Sequence, residues 1–472
     1  MKNPLHPRDW GLGAGPTGEL LVGDCSTVDL AKIYGTPLHV VNEQRLEETA
    51  RDFRRAAESL YPGRTFVHYA FKCNSVPAII KLVQRAGLKA EVMSEFELDL
   101  ALHLGYGGDA IVVNGPCKTD AFLRKCLEKQ VRFIVVDSLD ELKALGSICA
   151  SENKHAAILL RVNPDYTPER MNSGSATGSR RGCAFGLDLK GGELTSGLRL
   201  LLGMKNVQFF GFHFHIGTGI RSPEDYVRAL RCLKTLVPLA GAQGLPVKVV
   251  DVGGGFPSPT SREMTSRELL IYQAFSRLPS AANDPSRPSF EDFARAIGSA
   301  IMTYFPDSGL PELLFEPGRS IVSANQLLLL TVHRVKDRPG VRKWLITDGG
   351  LGTVTLPTFY EYHEVLLAND VRRPRTEKVT ISGPACFAAD TVYLNKLMPK
   401  VAPGEVLAVM DSGAYFTALE SSFGFPHPAI IAANGKTHRL IRRAESFSDM
   451  IGRDVIEKSI QGKEDSHEVY HH

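Results

Sequence analysis

The stretch Thr65-Phe66-Val67-His68-Tyr69-Ala70-Phe71-Lys72-Cys73-Asn74 decides how the chain is read. Its β-branched, aromatic and small residues from Thr65 to Phe71 spell a buried strand, and Lys72 falls where that strand ends. Desolvation lowers a lysine pKa and frees the amine as a nucleophile, which is what a Schiff base with an aldehyde cofactor needs. A strand-end lysine that merely snorkels to solvent satisfies the same stretch. The rest of the chain has to choose between the two.

Outward from this strand, apolar runs of strand length alternate with amphipathic helical stretches. Strands are predicted at 38–41, 65–71, 89–92, 111–113, 133–136, 157–162, 207–214, 247–252 and 313–316, with helices between them, for example at 43–60, 76–86 and 95–104. Such alternation implies parallel pairing, and a count near eight favours a closed (β/α)8 TIM-type barrel over an open sheet, across residues 37–325. Chemistry in such barrels sits at the carboxyl ends of the strands, where Lys72 lies.

Two polar stretches interrupt the barrel region. Residues 165–182 contain Ser173, Gly174, Ser175, Gly178 and Ser179, followed by Arg180 and Arg181, and read as a mobile loop and candidate lid. Residues 258–289 form a second insertion with a short helix at 266–276. Beyond residue 326 the helical alternation stops, and strands at 327–335, 343–347, 378–382, 406–410 and 429–433 predict a mostly β second domain over 326–472. Residues 1–36, an irregular arm with a strand at 19–22 and a helix at 28–34, are expected to join it.

Length and composition agree with this layout. A chain of 472 residues, 43% apolar and 23% charged, suits a soluble globular protein of two domains. No apolar run is long enough to span a bilayer, and the start Met1-Lys2-Asn3-Pro4 opens no secretory signal, so no membrane partner is expected. The eight cysteines form no CxxC pair, which argues against a zinc site and a disulfide framework and for a cytoplasmic setting. A net charge of +3, without a basic block carrying interleaved aromatics, gives no reason to expect nucleic acid.

Three strand ends carry candidate chemistry. Val250-Asp251-Val252-Gly253-Gly254-Gly255-Phe256-Pro257 ends in glycines whose amides can converge on a phosphate. Phe315-Glu316-Pro317-Gly318-Arg319 supplies a carboxylate for a protonated pyridine nitrogen and a guanidinium for a phosphate. In Gly211-Phe212-His213-Phe214-His215-Ile216-Gly217-Thr218, alternation puts His213 and His215 on one face and Phe212 and Phe214 on the other. No third ligand lies nearby in sequence, so a packed or ring-stacking role is expected there rather than a metal site.

Together these ordered motifs resemble the fold-type III pyridoxal-phosphate-dependent decarboxylases, the diaminopimelate and ornithine decarboxylase family, whose barrel is alanine racemase-like. Gly383-Pro384-Ala385-Cys386 with Asp390, and Asp411-Ser412-Gly413-Ala414-Tyr415, extend the resemblance into the second domain, over roughly residues 20 to 450. It implies pyridoxal 5'-phosphate as cofactor, held covalently by Lys72 with His215 stacked on its ring. Thr218, Gly253, Gly254, Gly255, Gly318, Arg319 and Tyr415 resemble the family's phosphate-side positions, and Glu316 its pyridine partner. Cys386 resembles the cysteine that reaches the cofactor from the partner subunit and protonates the carbanion left by carbon dioxide, so a homodimer with shared active sites is implied.

Departures from the family pattern bear on the substrate. Phe387 stands where the relatives usually place an acid, and Leu356 where the diaminopimelate enzymes have an arginine for a substrate carboxylate. With Tyr360 and Asp390, these residues are expected to shape the substrate pocket. A site without those charged groups should not favour diaminopimelate, ornithine or lysine, whose far ends would stay unpaired. The expected substrate is an amino acid with a neutral or bulky far end, such as one conjugated to another metabolite or to a carrier protein, with Arg180 and Arg181 available to an anionic extension. Three other readings stand beside it: a diaminopimelate or D-/L-basic amino-acid decarboxylase, an amino-acid racemase, and a non-catalytic homologue that binds a partner protein. Cys386 and the long second domain count against the racemase, and the intact cofactor motifs against the homologue.

Overall fold

The apolar run around Tyr69 folds as strand β1 (Thr65–Ala70), one of eight parallel strands that close a barrel in the computed structural model of the chain. The others are β2 (Lys89–Val92), β3 (Ile111–Val113), β4 (Phe133–Val136), β5 (Ala156–Asn163), β6 (Val207–His213), β7 (Val249–Asp251) and β8 (Glu312–Phe315). Each pairs in parallel with the next, and β8 returns to β1 with Leu313 opposite Thr65. The structure describes residues 5–169, 180–279, 287–305, 309–355 and 360–455.

Period-two alternation explains why these strands close. Val112, Phe133, Val135, Leu159, Val249 and Leu314 form one buried cluster, while Val113, Ile134, Val136, Leu160, Val250, Leu313 and Phe315 belong to another that also takes in helix residues. The helix Glu43–Ser59 shows how the outer layer is built. Asn42 caps its first turn by accepting the Arg45 amide, and Leu46, Ala50, Phe53 and Ala57 recur at helical spacing on the buried face.

The predicted strand at 38–41 is real, as Leu38–Asn42, but it is not a barrel strand. It lies in a second sheet, antiparallel to Gln326–Arg338 and parallel to Ala429–Asn434. The physical reason is that Leu38 to Val41 are all buried, as in a barrel strand, and a helix follows at once, so local pattern does not distinguish the two sheets. The expected barrel span of 37–325 therefore begins with a strand of the other sheet.

That second sheet also holds Arg342–Thr347, Arg375–Ser382, Thr391–Pro399, Val406–Val409, Val365–Leu367 and Thr437–Arg442. The arm contributes a small antiparallel sheet of Gly13–Ala14, Leu20–Val22 and Cys25–Ser26. Its Trp10, Leu20 and Val22 share one buried cluster with Leu38, Leu327 and Ala408. Asp411 ties these pieces together. Its carboxylate accepts from Trp10 Nε1 of the arm at 2.8 Å and from Ser258 Oγ and Thr260 Oγ1 of the insertion. Arg262–Glu263 of that insertion pairs with Glu361–Tyr362. Among the described residues, no helix is long and apolar enough to cross a membrane.

Candidate active site

Lys72 sits in a single 3-10 turn, Phe71–Cys73, that ends β1 and turns its side chain to the barrel mouth. Its Nζ lies 2.7 Å from Glu91 Oε2, a buried carboxylate on β2. Asn114, just past β3, donates to Glu91 Oε1 at 2.9 Å and to Glu316 Oε1 at 2.7 Å. Glu316 Oε2 is 3.2 Å from His213 Nε2 at the end of β6. Five strand ends thus place one continuous polar chain across the mouth of an otherwise apolar barrel.

The electrostatics correct one expectation. Burial pulls the Lys72 pKa down, but Glu91, Glu316 and Tyr415 outweigh it and hold the amine above the ordinary lysine range. Burial likewise opposes the charge on Glu316, yet His213, Lys72 and the Asn114 hydrogen bond keep it well below the usual carboxylate range. His215 lies just beyond β6 beside the glycine turn, where burial, then Arg161 and Lys72, bring its pKa down to about 3. It is therefore a neutral imidazole at neutral pH, offering a flat face without charge.

Backbone shape explains the glycine run. Gly253 has φ +67°, and a Cβ there would stand 2.2 Å from the Phe214 carbonyl oxygen; at Gly255, φ +101°, it would stand 2.3 Å from that of Gly217. Asp251 Oδ1 accepts the Gly253 amide at 2.8 Å, and the Gly253 carbonyl accepts the Glu316 amide at 2.8 Å, so the turn after β7 is fastened to the end of β8. The amides of Gly254 and Gly255 donate to no acceptor among the described residues. Buried nearby in sequence to Glu316, Arg319 Nε and Ser320 Oγ also lack partners.

A pyridoxal phosphate fits this donor set. Unpartnered amides, a guanidinium and a hydroxyl suit its phosphate, an anionic Glu316 suits a pyridinium, and Lys72 suits its aldehyde. Arg319 is also gripped by Glu361, Nη1 to Oε2 at 2.7 Å, with both side chains almost wholly buried and His363 at 3.2 Å from the same oxygen. A cavity of about 1260 Å³ adjoins Arg319, Ser320, Gly219 and Glu361.

The second sheet closes on this site from one side. The Tyr415 amide donates to the Cys73 carbonyl at 2.9 Å, Asn74 Nδ2 donates to the Gly413 carbonyl at 2.9 Å, and the Arg319 guanidinium lies 5.0 Å from the Tyr415 ring. Thr218 is half-buried in the loop after β6. Gly318 packs against Cys73, where a Cβ would stand 2.8 Å from that residue's own Cβ.

Among the described residues, no hydrogen bond or ion pair joins Cys386, Phe387 or Asp390 to this cluster. Cys386 is exposed, and the ring of Phe387, 46% exposed, lies tilted at 45° beside that of the exposed Phe423, with centroids 5.7 Å apart. Asp390, expected in the substrate pocket, is buried with its oxygens taken by the amides of Leu351 and Ala385, so it shapes the Cys386 loop. Tyr360 is half-buried, its hydroxyl pKa pushed up to about 12 by burial and then by Glu361. Leu356 lies outside the described residues, as do Ser173, Gly174, Ser175, Gly178 and Ser179 of the expected lid. Arg181 is paired with Asp188 and Arg180 Nε donates to Thr167.

The acids missing near His213 in the sequence arrive by folding. His213, Asp251 and Glu316 come from three different strand ends and offer atoms that all lie within 4.8 Å of one another. Glu91, Asn114, Ser320 and Glu361 were not singled out in the sequence. Glu91 and Asn114 carry a readable signal, since each is a polar residue at or after the end of an apolar barrel strand. Glu361 carries none, because its partner Arg319 is distant in the chain.

Comparison with known proteins agrees with this geometry. Residues 46–323, more than half of the chain, match the family model described as pyridoxal-dependent decarboxylase, pyridoxal binding domain. The chain is 29% identical to a diaminopimelate decarboxylase of Methanocaldococcus jannaschii over 93% of its own length and 95% of the relative's. It is 30% identical to a diaminopimelate decarboxylase of Bacillus methanolicus over 90% and 94%. A crystal structure of the M. jannaschii enzyme superposes with a TM-score of 0.84 at 27% identity, covering 95% of this chain and 98% of that one. Barrel, polar mouth and relatives lead to one conclusion: the chain belongs to the pyridoxal-dependent decarboxylases.

Proposed function

We propose that the protein decarboxylates an amino acid whose far end differs from those of diaminopimelate, ornithine and lysine. The observation that carries the reading is the chain from Lys72 through Glu91 and Asn114 to Glu316, an amine and a carboxylate set for the two ends of one pyridine ring system. Pyridoxal 5'-phosphate, when bound, supplies the electron sink for the charge left as carbon dioxide departs.

The chain's own residues do the rest. When the cofactor is bound, Lys72 would attach it, His215 would present its ring to the pyridine, and Glu316 would hold the pyridine nitrogen protonated. Thr218, Gly253, Gly254, Gly255, Gly318, Arg319 and Tyr415 position the phosphate. Cys386 returns a proton to the substrate carbon, reaching a neighbouring site as the partner subunit of a homodimer. The exposed Phe387–Phe423 pair beside Cys386 supports this, since adjacent bare aromatic rings are what a partner surface covers.

Leu356 and Phe387 support a neutral or bulky far end, as in a conjugated or carrier-bound amino acid, because neither balances a buried substrate charge. A cytoplasmic setting goes with this reading. A second reading, decarboxylation of diaminopimelate itself, is favoured by the names of the relatives.

A carbon dioxide release screen over free, D-configured and conjugated amino acids, with Cys386→Ala as control, tests the proposal. Turnover of a conjugate far above that of diaminopimelate and lysine is expected. Ordinary efficiency on either free amino acid would sink it in favour of the second reading.

A further inference from the structure

Beneath the site, Asp251 is a fully buried acid at the end of β7. Its Oδ1 is engaged by the Gly253 amide, while its Oδ2 has no N–H or O–H partner. What Asp251 does meet is a second carboxyl group, for it and Glu316 each place an oxygen within 4.8 Å of the other's. Two carboxylates share a hydrogen bond only if one of them carries a proton, and two buried anions in contact do not both persist.

The surroundings decide where the proton sits. Glu316 receives Asn114 Nδ2 on one oxygen and His213 Nε2 on the other, with Lys72 adding positive charge. Asp251 receives one backbone amide and no cation. Other titratable groups facing the pair are Glu91, whose negative charge favours a neutral Asp251, and buried His68 and His215, whose pKa values burial lowers to about 3. Burial and the Glu316 charge push the Asp251 carboxyl well above the ordinary range.

We propose that Asp251 stands in the folded enzyme as a neutral carboxylic acid, its Oδ2 hydrogen given to Glu316 and its Oδ1 holding the Gly253 amide. One side chain then positions both ends of the cofactor site: the pyridine partner after β8 and the phosphate-side turn after β7. Asp251 is a positioning residue, acting through Glu316 and Gly253, and the inference rests on the assignment of Glu316 made above.

Infrared spectroscopy of the holoenzyme at neutral pH reads the proton directly. An aspartic-acid C=O band is expected in wild type, shifting in deuterium oxide and lost in Asp251→Asn, while the band of buried Glu97 persists in both. Labelling with carboxyl-13C aspartate should move the same band, which assigns it even where the variant fails to fold. Asp251→Asn keeps a neutral donor and an acceptor, so its cofactor affinity and the pH dependence of its visible absorbance should stay within a few-fold of wild type. Asp251→Ala should lose affinity at least tenfold and shift that pH dependence.

Absence of an aspartic-acid band overturns the inference, as does an Asn variant as impaired as the Ala variant, or a divalent metal bound stoichiometrically between His213, Asp251 and Glu316. If the aspartic-acid band is present but no cofactor absorbance forms on Lys72, the proposed function fails while the protonated Asp251 stands.

Discussion

Lys72 Nζ and Glu91 Oε2 lie 2.7 Å apart, and this contact, with Glu316 and Tyr415, outweighs the downward pull of burial on the lysine pKa. A lysine raised in the folded state lends stability at every pH below the ordinary lysine range and loses it as pH climbs through the raised value. Glu91→Gln should lower the Lys72 pKa, giving about tenfold more free amine at neutral pH for each unit of fall. The rate at which the visible band appears when cofactor is added to apoenzyme measures this. An unchanged rate would remove Glu91 from the account.

Arg319 and Glu361 join the turn after β8 to the short strand Glu361–Tyr362 through a buried ion pair. Removing one partner strands the other charge, so Glu361→Ala should destabilise the fold by about 3–5 kcal/mol. Urea unfolding of apoenzyme checks it, and a loss below 1 kcal/mol would mean that water or His363 takes up the released charge.

Glu97 supplies a pH-dependent case. Burial, then the charge of Glu91, raises its carboxyl from 4.5 to about 7. The folded state therefore holds a proton that the unfolded chain has lost, and stability falls as pH rises from about 4.5 to 7. Glu97→Gln should raise the melting temperature above pH 7, by a free energy of at most roughly 3 kcal/mol, with no advantage below pH 4.5. Equal gains at both ends of that range would point to packing instead.

Cys386→Ala should keep the cofactor absorbance yet lower kcat by about 10²–10⁴-fold, the usual scale for a positioned proton donor. Shared sites predict complementation: mixing Cys386→Ala with Lys72→Ala subunits should restore activity that neither has alone. Phe423→Asp should shift the protein from dimer to monomer in light scattering. Failure of both the mixing and the dissociation would confine each site to one subunit.

How much of this was legible follows from where each signal lives. β1 and Lys72 were readable because a strand and its end are written in consecutive residues, and Gly253 to Gly255 and Glu316 to Arg319 share that advantage. His213 looked like half of an incomplete pair because its partners, Asp251 and Glu316, arrive from two later strands. Leu38–Asn42 was assigned to the wrong sheet because burial on both faces says nothing about which neighbours lie beside it. Desolvation of Lys72 was anticipated, but the Glu91 charge that outweighs it depends on the register of β1 against β2.

The place of Leu38–Asn42 also dictates an order of assembly. This strand leaves the ribosome before any barrel strand, yet its two neighbours, Gln326–Arg338 and Ala429–Asn434, come from the last third of the chain. The nascent protein must carry Leu38, Val40 and Val41 unpaired through synthesis of the whole barrel. A fragment ending near residue 325 would expose that edge permanently and should aggregate. A fragment beginning there would lack the strand at the middle of its sheet and should stay unfolded until residues 1–59 are supplied in trans.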